Sequence, residues 1–479
     1  MINLSEYKRI HCIGIGGIGL SAVAEIFMSR GYMVSGSDMR ESDITEKLMD
    51  GGARIFLGHR AKNVEDADLV VYTVAVGDDN PELARARELG IPTITRAQAL
   101  GALMGEYDRS IAVSGTHGKT TTTSMISLIL KNARREPTIL VGGNLEEIGG
   151  NCYVGGREYF VTEACEYRDS FLELQPNVEI ILNIDSDHLD YFKDVEHIAR
   201  SFERFARLVP SKGVIIAYDA NPFVRSVVEG LPNTVTFGLS SESDYYASNI
   251  SFDTDGMPSF DVNHRGDCLC NIKLSVPGEH NILNALASFT CCRILGVEVE
   301  DIVETLQAFR GTHRRFDIMG RTGTGATIID DYAHHPTEIK ATLAAVKNMK
   351  HNRLWCLFQP HTYTRTLALM DEFAKAFDAA DSVMLAEIYA AREKNIYKIS
   401  SRTLMEKIRE HNPDLDIETF DDFEAMAKHV YENAGEGDLI LTMGAGDIYK
   451  VGEIILDMDV SRIETIKKTR VRELKKIED

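Results

Sequence analysis

The chain reads as an α/β protein of three consecutive domains, each built on a mostly parallel sheet with helices packed against it. Three observations lead there. Strand-like and helix-like segments alternate along nearly the whole length, which is the rhythm of βαβ units. At 479 residues the chain exceeds one ordinary domain. Two glycine-bearing loops each follow an apolar strand pattern and open a helix pattern, as phosphate-binding turns do.

The elements follow in order. "RIHCIG", "YMVSGS", "DLVVYTV" and "PTITR" read as short buried strands, separated by helical patterns such as "GLSAVAEIFMSRG". A second run opens with "SIAVSGTHGKTTTTSMISLILKNA", a strand, a loop and a helix in close succession. It continues through the strands "EYFVTEA", "VEIILNI" and "GVIIAY". A third begins near "RRFDIMG" and contributes "ATIIDDYA", "RLWCLFQP", "SVMLAEI" and "DLILTMG". The breaks near 107 and 315 divide the chain into 1–107, 108–314 and 315–479. The closing "SRIETIKKTRVRELKKIED" reads as a charged helix or tail.

Composition narrows the function. Hydrophobic residues make up 44% and charged residues 26%, enough to build several cores. With 52 basic and 73 acidic residues the net charge is −21, which argues against gripping a nucleic-acid backbone. The eight cysteines form no C-x-x-C pair, so zinc is not expected. Scattered single cysteines, no leader pattern and no long apolar run point to a cytoplasmic protein that neither spans nor anchors in a membrane.

"GIGGIG" brings Gly16, Gly17 and Gly19 to the start of the first helix, where free amides and the helix dipole attract a pyrophosphate. Asp38 ends the next strand, where dinucleotide folds keep a ribose-binding acid. A nucleotide diphosphate, NAD, or glycines serving only helix–strand packing all fit this stretch. "SGTHGKTT" resembles a phosphate loop whose front half is short, because Val113 stands where the usual first glycine falls. Lys119 is placed to reach a β/γ-phosphate and Thr120 to ligate Mg²⁺; the alternative is a threonine-capped helix start. Two phosphate sites on one chain favour a ligase that activates a nucleotide-linked substrate over a dehydrogenase. Glu163 ends a strand and His188 follows one, so both can approach a phosphate-bound cation. Asn281 and Asn284 stand at i,i+3 on a helix, facing one purine edge, or else Asn281 caps that helix.

Taken together, "GIGGIG", "GTHGKTTT", "NIDSDHLD", "GEHNILNA", "HRRFD", "DDYAHHPTE" and "QPHTYTRT" resemble the Mur ligases over almost the whole chain. The resemblance implies a Rossmann-like N-terminal domain for the UDP-sugar and a P-loop ATPase-like central domain for ATP. A Rossmann-like C-terminal α/β domain would close over ATP and amino acid. The implied activity is ATP-dependent joining of L-alanine to the carboxylate of UDP-N-acetylmuramate through an acyl phosphate, in peptidoglycan precursor synthesis. By the same resemblance, Gly16, Gly17 and Gly19 hold the UDP pyrophosphate, with Ser37, Asp38, His59 and Thr73 near the uridine. Gly115, Thr116, His117, Gly118, Lys119, Thr120 and Thr121 wrap the ATP phosphates. Asn281 and Asn284 take the adenine, Asp331 the ribose and Arg315 the phosphates. Thr120, Glu163 and His188 hold two Mg²⁺ ions. Tyr332, His334, His361 and Arg365 surround the amino acid, with His334 as amine base; Lys119, His188, His334 and Arg365 form the implied catalytic set. A monomer or weak homodimer is expected.

Three departures stand out. No lysine lies between Lys193 and Lys212, so the carbamylated lysine of other branches is not expected, and Glu203 is the nearby acid. Cys165 and Arg168 occupy a stretch usually richer in acids. Thr362 replaces a basic residue common among relatives. Rival readings are an NAD-dependent dehydrogenase, a nucleotide-switched binding protein, and a ligase that attaches a tripeptide to the same sugar.

Overall fold

The computed structural model describes residues 2–458, so the charged segment 461–479 lies outside the described residues. The first sheet contains β1 (Arg9–Ile13), β2 (Met33–Asp38), β3 (Arg54–Leu57), β4 (Leu69–Tyr72) and β5 (Thr93–Thr95). Its order is β3-β2-β1-β4-β5 and every pairing is parallel, the doubly wound arrangement. β1 alternates its faces. Ile10 and Cys12 pack with helices Ile18–Ser29 and Arg96–Met104, while Ile13 joins helix Pro81–Glu88 on the other side. β3 was not among the expected strands: it is a half-buried edge strand whose "RIFL" shows little period.

The second sheet has ten strands: β6 (Arg109–Ser114), β7 (Thr138–Leu145), β8 (Gly150–Tyr153), β9 (Tyr159–Glu163), β10 (Val178–Ile181), β11 (Val214–Tyr218), β12 (Thr234–Gly238), β13 (Tyr245–Phe252), β14 (Pro258–His264) and β15 (Asp267–Lys273). Their order is β15-β14-β13-β12-β11-β10-β6-β9-β7-β8. The interior is parallel as expected, but both edges are antiparallel, β13-β14-β15 on one side and β7-β8 on the other. Their connections are turns too short for the crossover that parallel pairing demands. β6 sits where the chain order reverses, between β10 and β9, so a crevice opens at its carboxyl end.

The third sheet comprises β16 (Asp317–Arg321), β17 (Thr327–Asp331), β18 (Leu354–Phe358), β19 (Ser382–Ala386), β20 (Asp416–Phe420) and β21 (Leu439–Met443), ordered β16-β17-β21-β18-β19-β20. Only β16 runs antiparallel. β18, β19 and β21 are buried along their whole length, hence their continuous apolar runs. Among the described residues no helix is long and apolar enough to cross a membrane.

Candidate active site

The loop after β6 turns sharply into helix Lys119–Asn132. Gly118 caps that helix in the left-handed region (φ 85°) with no side-chain cap, so the threonine-capped reading fails and the first-turn amides stay free for an anion. A methyl group at Gly118 would stand 2.6 Å from Asn284 Oδ1. The Lys119 ammonium is buried; it donates to the carbonyls of Gly115 and Thr116 and pairs with Glu166 at 2.9 Å. Burial opposes its charge most strongly, but Glu166, Cys165 and Glu163 together outweigh burial and raise its pKa. The amides of Thr116 and His117 are already taken by Asn183 (3.1 and 2.8 Å), so these two expected phosphate contacts are spent on shaping the loop.

Glu166 was missed. It is only 2% exposed, and His188 Nε2 approaches it at 3.9 Å. Glu163, the acid expected there, instead accepts from the Gly142 amide at 2.5 Å, while Gly143 packs beside Thr120. Thr120, Glu163, Glu166 and His188 offer donor types suited to a hard cation such as Mg²⁺. Among the described residues, however, the His, Cys, Asp and Glu side chains whose ligand atoms converge within 4.8 Å are His117, Asp185 and His335. Glu203 lies apart, on the solvent side of helix Val195–Ala206, paired with Arg207.

Beside the loop opens a cavity of about 520 Å³. Its apolar wall includes Tyr218, Phe223, Phe237 and Phe309; its polar wall includes Asn281, Asn284, Arg315 and Asp331. Asn281 lies inside helix Glu279–Ile294, which Gly278 caps, so Asn281 is not the helix cap. Its amide donates to Pro277 O, while Asn284 donates to Asn281 Oδ1 and accepts from Thr122. Arg315 lies over the Tyr332 ring, 5.0 Å from its centre. Burial lifts the Asp331 carboxyl to about 6.

A second cavity, about 480 Å³, is bordered by Tyr167, Asp187, His188, His361 and Arg365. Arg365 donates Nε and Nη2 to Asp187 and Nη1 to His361 Nδ1, so His361 keeps its proton on Nε2 and presents a donor. His334 Nδ1 lies 2.9 Å from the Tyr332 carbonyl, which only accepts; its lone pair is therefore on Nε2. Burial holds both rings neutral, with pKa values near 4. Arg168, His188, Thr362 and Ala391 all line this cavity, and all four carry positive φ (54°, 54°, 67° and 51°). Such backbone strain in non-glycine residues concentrates at ligand sites.

In the first domain Asp38 accepts from the Gly16 amide at 2.9 Å, and Thr73 packs against Gly14. Helix Ile18–Ser29 starts at Gly17 without a side-chain cap, and a methyl at Gly19 would come within 3.2 Å of Arg96 Nη1. That cation was also missed. Ser37 is fully buried and its hydroxyl donates to Glu82, which His59 and Asn63 contact as well. Burial works against the Glu82 charge, but His11, Ser37 and Asn63 hold its pKa down at about 2. Helical spacing gave no sign of this buried acid.

The chain matches three consecutive families: the Mur ligase family catalytic domain over 9–108, the Mur ligase middle domain over 113–292 and the Mur ligase glutamate ligase domain over 314–446. It is 49% identical to the UDP-N-acetylmuramate–L-alanine ligase of Alkaliphilus metalliredigens over 457 residues, 95% of this chain and 98% of that protein. Among solved structures it resembles the UDP-N-acetylmuramate–alanine ligase of Thermotoga maritima (TM-score 0.78, 32% identity, 95% and 99% of the two chains). It also resembles the murein peptide ligase of Psychrobacter arcticus (TM-score 0.69, 27% identity, 94% and 98%).

Proposed function

The chain belongs to the Mur ligase family, and from that premise we infer that it joins L-alanine to the carboxylate of UDP-N-acetylmuramate, with ATP converted to ADP and phosphate. The observation that carries this reading is the short segment Asp185–His188. Asp185 lines the cavity beside the phosphate loop, and Asp187 and His188 line the second cavity with His361, whose ring centre lies 5.8 Å from that of His334. An activated carboxylate and an incoming amine can therefore meet there. Residues 1–107 would bind the UDP-sugar, 108–314 ATP, and 315–479 would close over both, in the cytoplasm.

A carboxylate acylates poorly because its leaving group would be oxide. Attack of the muramyl carboxylate on the γ-phosphorus forms a C–O–P bond and releases ADP. The amine then adds to the acyl carbon, and phosphate departs as the amide forms. Lys119 would exchange Glu166 and the loop carbonyls for phosphate oxygens, joined by the free helix amides and Arg315. Thr120, Glu163, Glu166 and His188 would hold Mg²⁺, which offsets the repulsion between two anions. Asn281, Asn284 and Asp331 would orient the nucleoside. His334 Nε2 would take the amine proton, while His361 and Arg365 position the amino acid.

The test supplies Mg²⁺-ATP and UDP-N-acetylmuramate with alanine, serine, glycine or a tripeptide, and follows phosphate release. Release should require the UDP-sugar and be fastest with alanine. ADP formation indifferent to the UDP-sugar would defeat the reading, and a tripeptide preference would move it to the murein peptide ligases.

A further inference from the structure

His117 stands in the ATP loop, yet its ring is turned into the third domain. Nδ1 lies 3.1 Å from Glu338 Oε1 and Nε2 lies 3.4 Å from Asp185 Oδ2. Carboxylates only accept, so both ring nitrogens carry hydrogen and the group is an imidazolium between two anions. His117 is 14% exposed and Glu338 15%, in side-chain terms. Glu338 meanwhile spends its other oxygen on the turn that bears the candidate base. Oε2 accepts from the His334 amide at 3.0 Å and the His335 amide at 3.2 Å, and lies 3.4 Å from His334 Nδ1. Two further bonds tie the same turn to the central domain. Thr337 donates to Asp185 at 2.6 Å, and His335 Nε2 donates to the Ser186 carbonyl at 2.8 Å.

We propose that His117 and Glu338 are positioning residues, a latch that seats the third-domain turn 334–338 on the ATP loop and so aims His334 at the incoming amine. This rests on the reading of the site as an amide-forming ligase. A largely buried ion pair adds little net stability over an apolar pair, but it strongly fixes register, because either charge left alone is costly. Here the register is between two domains. The loop that holds the phosphates and the turn that holds the base share one carboxylate, so misplacing the turn breaks the pair. Acyl phosphate formation uses the loop, Arg315 and the UDP-sugar, and makes no use of the base on the turn 334–338. The amine step additionally needs the turn, and small misplacements of a reacting group cost large factors in rate.

The experiment uses the full chain with His117→Gln, Glu338→Gln and the double variant. Two quantities are read: ADP formed in a single turnover with UDP-N-acetylmuramate and no amino acid, and kcat/KM for alanine. For Glu338→Gln the latch predicts ADP formation within about threefold of the parent, His117→Gln serving only to close the cycle. It predicts a fall in kcat/KM for alanine of roughly tenfold to a hundredfold, the range of one charge-assisted hydrogen bond. The double variant should be no worse than the poorer single one. Thr337→Val, which removes a bond at the latch's edge without stranding a charge, should lower alanine kcat/KM a few-fold and spare the ADP burst. Equal loss of both steps, or a double variant showing the product of the single effects, overturns the proposal. Urea unfolding of the same set forms a second cycle independent of turnover, and additive shifts there also overturn it. If the parent protein shows no alanine-dependent phosphate release while the unfolding cycle is coupled, the ligase reading falls and the inter-domain latch stands.

Discussion

Replacing Lys119 by methionine should damage stability and catalysis separately, and the two losses can be pulled apart. The ammonium sits 2.9 and 3.2 Å from the two oxygens of Glu166, whose side chain is 2% exposed. Methionine keeps most of the volume but leaves a buried carboxylate without its partner, a loss of about 3–5 kcal/mol in unfolding free energy. Removing one preorganised charge aimed at the transferring phosphoryl group should also lower kcat by about 10²–10³. Lys119→Met/Glu166→Gln removes both charges, so most of the stability should return while turnover stays low. Urea unfolding without nucleotide reads the first quantity, and alanine-dependent phosphate release at saturating substrates reads the second. A single variant with the parent's unfolding midpoint would refute the buried pair. Recovery of turnover in the double variant would refute Lys119 as the phosphate ligand.

Gly118→Ala forces a left-handed alanine and places its methyl against Asn284. It should cost more than about 1 kcal/mol and raise the KM for ATP, measured by unfolding and initial rates. Arg365→Lys loses the fork that grips Asp187 and His361, so the KM for alanine should rise about tenfold while that for ATP holds. Burial opposes charge on His117, but its bonds to Asp185 and Glu338 raise its pKa to about 9. A raised histidine stabilises fully below its unfolded value near 6.5, and that contribution fades as pH climbs through 9. Unfolding free energy should therefore drop by up to ~3 kcal/mol from pH 6.5 to 9.5, and a His117→Gln protein should show a clearly shallower slope over that window.

Much of the fold was legible because its signals are local. β1, β6, β18 and β21 are short apolar runs, and the turns after β1 and β6 carry glycines that lead straight into a helix start. The antiparallel edge β13-β14-β15 escaped notice because mostly exposed strands such as "DCLCNIK" mix polar and apolar residues with a broken period. Lys119, His188, Asn281, Asn284, Arg315, Asp331, His361 and Arg365 were all named from motifs; all but Lys119 line the two cavities, and Lys119 is paired with Glu166.

From the residues alone came the elements, the three-domain α/β class and the two glycine-bearing turns that open helices, since each depends on neighbours within one helix turn or one strand. Tertiary structure decided which acid meets which base. Glu166 rather than Glu163 holds Lys119, His117 faces Glu338 across 221 positions, and Ser37 and His59 close around Glu82 instead of standing free. Those pairings are set by the order in which strands lie in a sheet and by how one domain seats on the next. A sequence read along its length does not contain that order, because side chains at neighbouring strand ends are joined by whole crossovers of chain.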